Sequence, residues 1–191
     1  TASGKSNLAI KLAEKINGEI INADSMQVFK EFHVLSSRPT LVQTKKIKHH
    51  LYGIITVKKN FSAGDWLKQV KKKINICKKK KKVPIIVGGT GLYFNIITKG
   101  ISKIPDIDIK TRNKVRNLFK KLGNKKFYNQ LLKLDPKIKG RILPTDSQRL
   151  QRAYEVKLKT NKSLYDWFVN TKSDFSDFEI KKIIIDIPRE V

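Results

Sequence analysis

Val83-Pro-Ile-Ile-Val87 is an unbroken apolar run, entered from Lys82 and left through Gly88-Gly89-Thr90-Gly91. A strand without polar alternation is one covered on both faces, and such strands belong to parallel sheets. Parallel strands need crossover connections, usually helices, and the residues before the run supply one. Trp66, Leu67, Val70, Ile74 and Cys77 recur at helical spacing behind Ser62-Ala-Gly-Asp65. Ser62 is placed to accept first-turn N–H groups, and Asp65 complements the positive end of the helix dipole. Upstream, Asn7 to Lys15 reads as an amphipathic helix with Leu8, Leu12 and Ile16 on one face. Glu19 to Ala23 and Leu51 to Val57 read as further strands. The order predicts an α/β fold, a parallel sheet with helices on both sides.

Past Gly100 the strand signal stops. Val115, Leu118, Phe119 and Leu122 form one helical stripe, Phe127, Leu131 and Leu134 a second, and Leu150, Ala153 and Tyr154 a third. Gly123, Asp135-Pro136 and Pro144 are the breaks between them. Lys182 to Pro188 then reads as a strand again. The predicted organisation is an α/β core over residues 1–102, an inserted small helical subdomain over 103–170, and a return to the core over 171–191. Thr1 is not an initiator Met, and a full phosphate loop needs a Gly two positions earlier and a strand before that. A fragment of a longer protein, of low activity by itself, is the expectation.

The 191 residues carry 42 Lys plus Arg against 16 Asp plus Glu, a formal charge of +26, with 39% apolar residues. That apolar share, in ordered periods, excludes a disordered chain. The apolar runs fall short of the ~20 residues that cross a bilayer, so no membrane association is expected. A lone cysteine, Cys77, excludes a disulfide framework and fits the cytoplasm. The charge favours a polyanionic partner. Yet only seven of the basic residues are Arg, and a Lys-, Ile- and Asn-rich chain is also what A+T-biased coding writes. The Lys78 to Lys82 run ends a helix, where cations suit the dipole.

Ligands of open α/β sheets bind beyond the carboxyl ends of the strands. Three segments converge there. Thr1, Ala2, Ser3, Gly4, Lys5 and Ser6 form the second half of a phosphate loop, with backbone N–H groups and Lys5 on phosphate oxygens and the Ser6 hydroxyl on Mg²⁺, so the expected fold is a P-loop NTPase-like parallel sheet with an inserted small helical subdomain. Asp24-Ser25-Met26-Gln27 follows one strand, and Gly88-Gly89-Thr90-Gly91 another. Each also has a plain reading as a cap or turn. His49 and His50 are adjacent, so along a strand they point to opposite faces and cannot share a metal; they are read as structural or surface residues. Cys77 is read as a small buried hydrophobe. Arg149 and Arg152 share a helix face behind the cap at Thr145 or Asp146, and suit either phosphates or surface ion pairs.

Together, Thr1–Ser6, Asn22-Ala-Asp-Ser-Met-Gln27, Arg38-Pro-Thr40, His49-His-Leu51, Phe61–Asp65, Val87-Gly-Gly-Thr-Gly-Leu-Tyr93 and Asp146–Val156 resemble the tRNA dimethylallyltransferases. The motifs run in family order over nearly the whole chain. The resemblance implies prenyl transfer from dimethylallyl diphosphate to N6 of the adenosine beside the anticodon. It implies diphosphate, with Mg²⁺, at Thr1 to Ser6, Asp24 as general base and Thr90 between diphosphate and base. Asp24, Ser25, Met26, Gln27, Arg112, Gln148, Arg149, Leu150, Gln151 and Arg152 match positions that hold the tRNA anticodon stem-loop. A monomer is expected. Leu35-Ser-Ser-Arg-Pro-Thr40 departs from the Gly-Thr-Ala-Lys-Pro-Thr expected there. A free-adenylate isopentenyltransferase, a P-loop small-molecule kinase and a non-catalytic RNA-binding module remain as alternatives; the helical insertion speaks against the first.

Overall fold

The computed structural model describes residues 3–169 and 171–186. The chain divides into two compact units, Thr1–Gly100 with Ser173–Val191, and Ile101–Lys172. The first unit holds helix α1 (Lys5–Lys15), strand β1 (Gly18–Asn22), α2 (Leu41–Lys46), β2 (His49–His50), α3 (Ala63–Lys79), β3 (Val83–Val87) and α4 (Gly91–Lys99). The three strands form one parallel sheet in the order β2-β1-β3, as the α/β pattern requires. β1 lies in the middle and is buried at all five positions. One of those is Glu19, whose carboxylate is accommodated by His50 Nε2 at 2.6 Å.

Two cores sandwich the sheet. On one side Ala9, Ile10 and Ala13 of α1 meet Ile20. On the other, Trp66, Leu67, Val70, Ile74 and Cys77 of α3 meet Ile21 and the α4 residues Tyr93, Ile96 and Ile97. Trp66 stacks on Tyr93 with ring centroids 4.0 Å apart, an arrangement that adds about 1 kcal/mol to the burial. The Ser62–Asp65 pair forms a full capping box for α3, with each side chain taking the other's backbone N–H.

Four sequence expectations are corrected. Leu8 and Ile16 of α1 are partly exposed, and the packed face is built from the small residues Ala9 and Ala13 with Ile10, because the helix lies close on the sheet. The strand expected over Leu51 to Val57 does not form: β2 is His49–His50, just before it. Leu51 (φ 64) and Gly53 (φ 57) take left-handed backbone that turns the chain out of the ladder, and beyond them an isolated bridge pairs Ile55 with Phe29. β3 is half-buried, with Val83 44% exposed, since among the described residues β1 is its sole strand partner. Residues 182–186 have no strand pairing, and Ile184 is 88% exposed. The rest of that expected strand, 187–188, lies outside the described residues.

The second unit packs α5 (Ile109–Leu134) against α6 (Ser147–Thr160) around Val115, Phe127, Leu131, Leu150, Ala153 and Val156. Asp108 and Asp146 cap the two helices. Gly123 breaks α5 with φ 67, ψ 173, a conformation that side chains strongly disfavour. Leu134, expected in a core stripe, is 40% exposed at the end of α5.

Candidate active site

The loops that leave β1 and β3 are stitched together by backbone. Ala23 N–H donates to the Val87 carbonyl at 2.7 Å, and Thr90 N–H to the Ala23 carbonyl at 3.2 Å. A Cβ on Gly88 would stand 2.1 Å from the Ala23 carbonyl carbon and oxygen, so only glycine lets the two strand ends touch. Thr90 precedes α4, but its hydroxyl does not cap that helix. Instead Thr90 Oγ1 accepts from Ser25 N–H at 2.9 Å and donates to Ser25 Oγ at 3.3 Å. The Asp24 and Thr90 loops, which the sequence placed at neighbouring strand ends, are thus in direct contact.

Asp24 turns on its own side chain. Oδ1 accepts the Met26 N–H at 2.9 Å, an Asx-turn that leaves Oδ2 without a hydrogen bond among the described residues. A Cβ on Gly89 would lie 3.7 Å from Oδ2, and its absence keeps that oxygen approachable. Tyr52 and Tyr93 lie close enough to feel the carboxylate. Burial first, and then the Asp24 charge, push both phenols above their ordinary range. They stay neutral, as donors or apolar walls.

The phosphate-loop residues sit at the same end of the sheet. α1 runs back antiparallel to β1 after a two-residue link, and 11 helical residues match five strand residues at about 16 Å, so the start of α1 returns to the carboxyl end of β1. Gly4 takes left-handed backbone (φ 70) and opens the helix. The first-turn N–H groups have no partner within the helix and form an anion seat. Lys5 Nζ donates to Ser3 Oγ at 2.6 Å and so lies along its own loop. Thr1 and Ala2 lie outside the described residues.

Other candidate residues serve the scaffold. Gln27 is buried, and its Nε2 donates to the Ser36 carbonyl at 2.6 Å, closing the loop rather than facing outward. Met26 is half exposed beside it. His49 Nδ1 pairs with the Ile47 carbonyl at 2.7 Å. Cys77 is buried as expected, but it also lies 3.6 Å from Glu19 Oε2. Burial, then the Glu19 charge, raise its thiol to about 11. For Glu19 itself burial pulls upward, but the His50 hydrogen bond and charge and nearby Lys80 prevail and hold it below its ordinary value.

In the helical unit, Arg149 and Arg152 flank a cavity of about 420 Å³ with Arg141, Ile104, Tyr165 and Phe168. The Arg141 guanidinium lies 4.7 Å over the Tyr165 ring. Arg149 pairs with Asp146 at 2.9 Å yet stays 76% exposed along its side chain, and Arg152 lies 3.7 Å from Glu155. Gln148 is exposed, and Gln151 Nε2 donates to the Ser147 carbonyl at 3.1 Å. Leu150 corrects the expectation that it meets RNA, because its side chain is wholly buried in the α5–α6 core. Arg112 Nε is buried without a hydrogen-bond partner among the described residues. Sequence reasoning gave no role to Arg141 or Tyr165, since nothing in their spacing marks them, and it met Trp66 only as part of a helical stripe and Asn22 only as part of a motif.

A family model described as IPP transferase matches residues 27–191. The chain is similar to the tRNA dimethylallyltransferase of Pelagibacter ubique, 57% identical over 190 residues that span 100% of this chain and 61% of that protein. It is 43% identical to the enzyme of that name from Rickettsia prowazekii, with the same shares covered. Among solved structures it resembles a eukaryotic dimethylallyltransferase acting on tRNA, at 31% identity and TM-score 0.77, over 90% of this chain and 43% of that one. It also resembles the tRNA isopentenylpyrophosphate transferase of Bacillus halodurans, at 31% identity and TM-score 0.53, over 87% and 55%. The chain thus spans about 61% of the length of the curated relatives it matches.

Proposed function

Because this chain belongs to the IPP transferase family, we propose that the protein transfers a dimethylallyl group from dimethylallyl diphosphate to N6 of adenosine 37 in tRNA. The observation that carries the reading is Asp24 at the carboxyl end of β1. One of its oxygens is fixed by Met26, and the other, beside the side-chain-free Gly89, has no hydrogen bond among the described residues. An exocyclic adenine amine is a weak nucleophile because its lone pair is delocalised, so a carboxylate that takes its proton during attack assists it. The N6 lone pair forms the new C–N bond at the allylic carbon, the C–O bond breaks toward pyrophosphate, and the N6 proton passes to Asp24 Oδ2.

Negative charge grows on the departing pyrophosphate. The first-turn N–H groups of α1 and the Lys5 ammonium are preorganised to receive it. The Ser6 hydroxyl is a hard oxygen donor of the kind Mg²⁺ accepts, so the residues present fit that ion and Ser6 would hold it. When bound, Mg²⁺ neutralises phosphate charge that the protein meets with few groups of its own. Thr90 is held against Ser25, and in this reading it lies between the diphosphate seat and the base.

The target adenine must leave the anticodon-loop stack, which calls for a separate grip on the RNA. We assign that grip to the helical unit, through Arg112, Gln148, Arg149, Gln151 and Arg152, with Ser25 and Met26 contacting the loop near the base. Leu150 contributes by fixing the helix that carries them. The protein is read as a monomeric cytoplasmic enzyme; among the described residues no helix is long and apolar enough to cross a membrane. The deciding experiment compares Asp24→Ala with the unaltered full-length protein, by transfer of labelled prenyl group to tRNA and by tRNA binding. A fall of about 10²-fold or more in turnover with tRNA affinity kept is expected; unchanged turnover removes the assignment. ATP turnover without dimethylallyl diphosphate would instead indicate a kinase.

A further inference from the structure

Asn22, the last residue of β1, is completely buried, and its carboxamide grips the main chain of Asp24 at both ends. Oδ1 accepts the Asp24 N–H at 2.9 Å, and Nδ2 donates to the Asp24 carbonyl at 2.9 Å. Nδ2 also donates to the Leu51 carbonyl at 3.2 Å. The main-chain carbonyl of Asn22 in turn accepts from Trp66 Nε1 at 2.9 Å. A backbone N–H only donates and a carbonyl only accepts, so a single orientation of the carboxamide satisfies all three side-chain bonds.

Asp24 lies past the end of the strand, where the ladder no longer holds it. Among the described residues, no other hydrogen bond reaches its backbone N–H or carbonyl. Asn22 therefore holds the Asp24 backbone from inside the protein, and the Met26 N–H holds its side chain from the loop. The left-handed turn at Leu51, which ends β2 early, is what presents a carbonyl to the remaining Nδ2 hydrogen. Trp66, stacked on Tyr93, anchors the far side of Asn22 to α3.

From this geometry we infer that Asn22 is a positioning residue for the reaction: it fixes the backbone of Asp24 so that Oδ2 meets the N6 proton. The inference rests on the reading of Asp24 as proton acceptor. Misplacing a reacting group by about 1 Å costs about 10²-fold in rate, and that sets the expected effect. Asn22→Asp keeps size and shape but turns an oxygen toward the Asp24 and Leu51 carbonyls.

The test uses the full-length protein. Asn22→Asp is expected to lower kcat about 10²-fold, with KM for dimethylallyl diphosphate and affinity for tRNA changed less than about twofold. Added to Asp24→Asn, it should lower the residual rate less than about twofold, because the two residues act as one unit. Trp66→Phe, which keeps the packing and loses one anchor, should lower kcat about threefold, and it decides the matter if Asn22→Asp does not fold. Asp24→Asn nearly inactive while Asn22→Asp and Trp66→Phe retain full kcat refutes the positioning role alone. So does a parallel loss of kcat and both affinities. Asp24→Asn turning over at the normal rate refutes the base assignment itself.

Discussion

Asp24 commits one oxygen to its own loop through the Met26 N–H and keeps the other, which the missing side chain of Gly89 leaves approachable. Gly88 and Gly89 were readable as a strand-end turn, and Asp24 and Thr90 as residues placed at adjacent strand ends. The Asn22 clamp was not readable, because no spacing rule says that a strand-terminal amide folds back on the residue two positions ahead. The same holds for Glu19. A glutamate in an apolar strand carries no sign of the histidine 31 positions later that makes its burial tolerable. With its folded pKa held below the ordinary 4.5, Glu19 adds stability above pH 4.5 that disappears as the pH falls through the lowered value. Unfolding free energies of the natural protein and Glu19→Gln, followed from neutral pH into the acid range, should therefore converge as the pH drops below about 4.5. Curves that stay parallel would show that the pair lacks this linkage.

At the level of elements, periodicity located α1, α3, α5 and α6 and identified the buried faces of α3 and α6, but it misjudged what faces inward on α1. α1 was read from its leucines, yet it packs through alanines, since a helix lying close on a sheet needs small side chains more than apolar ones. Leu51 to Val57 has a strand-like composition, but the left-handed Leu51 ends β2 after two residues. No residue type announces a positive φ at leucine, whereas Gly123 and the Ser62–Asp65 box were legible because glycine and capping residues have positional meaning. Gly123→Ala forces a side chain into a backbone region almost reserved for glycine. It should destabilise the helical unit by about 1–3 kcal/mol, measurable in urea unfolding, with prenyl-donor binding unaltered. An unchanged midpoint would mean that α5 straightens without cost.

For the whole molecule, the +26 charge predicts attraction to any polyanion and a steep loss of tRNA affinity with salt. Between about 50 and 200 mM salt, affinity should fall at least about tenfold, for tRNA and for a generic polyanion alike, while kcat at saturating tRNA stays level. Arg149→Ala with Arg152→Ala should weaken tRNA more than the generic competitor. Equal weakening of both would make that face an unspecific one. The parallel sheet and the helical block were visible in the order of apolar periods. The half-buried state of β3 was not, because burial depends on which strands lie alongside it. The lysines and Gly88 record opposite histories. A chain that carries 35 lysines has a surface on which one basic side chain serves at many positions. At Gly88 every available mutation adds at least a carbon atom 2.1 Å from the backbone of Ala23, and the position has no viable neighbour in sequence space.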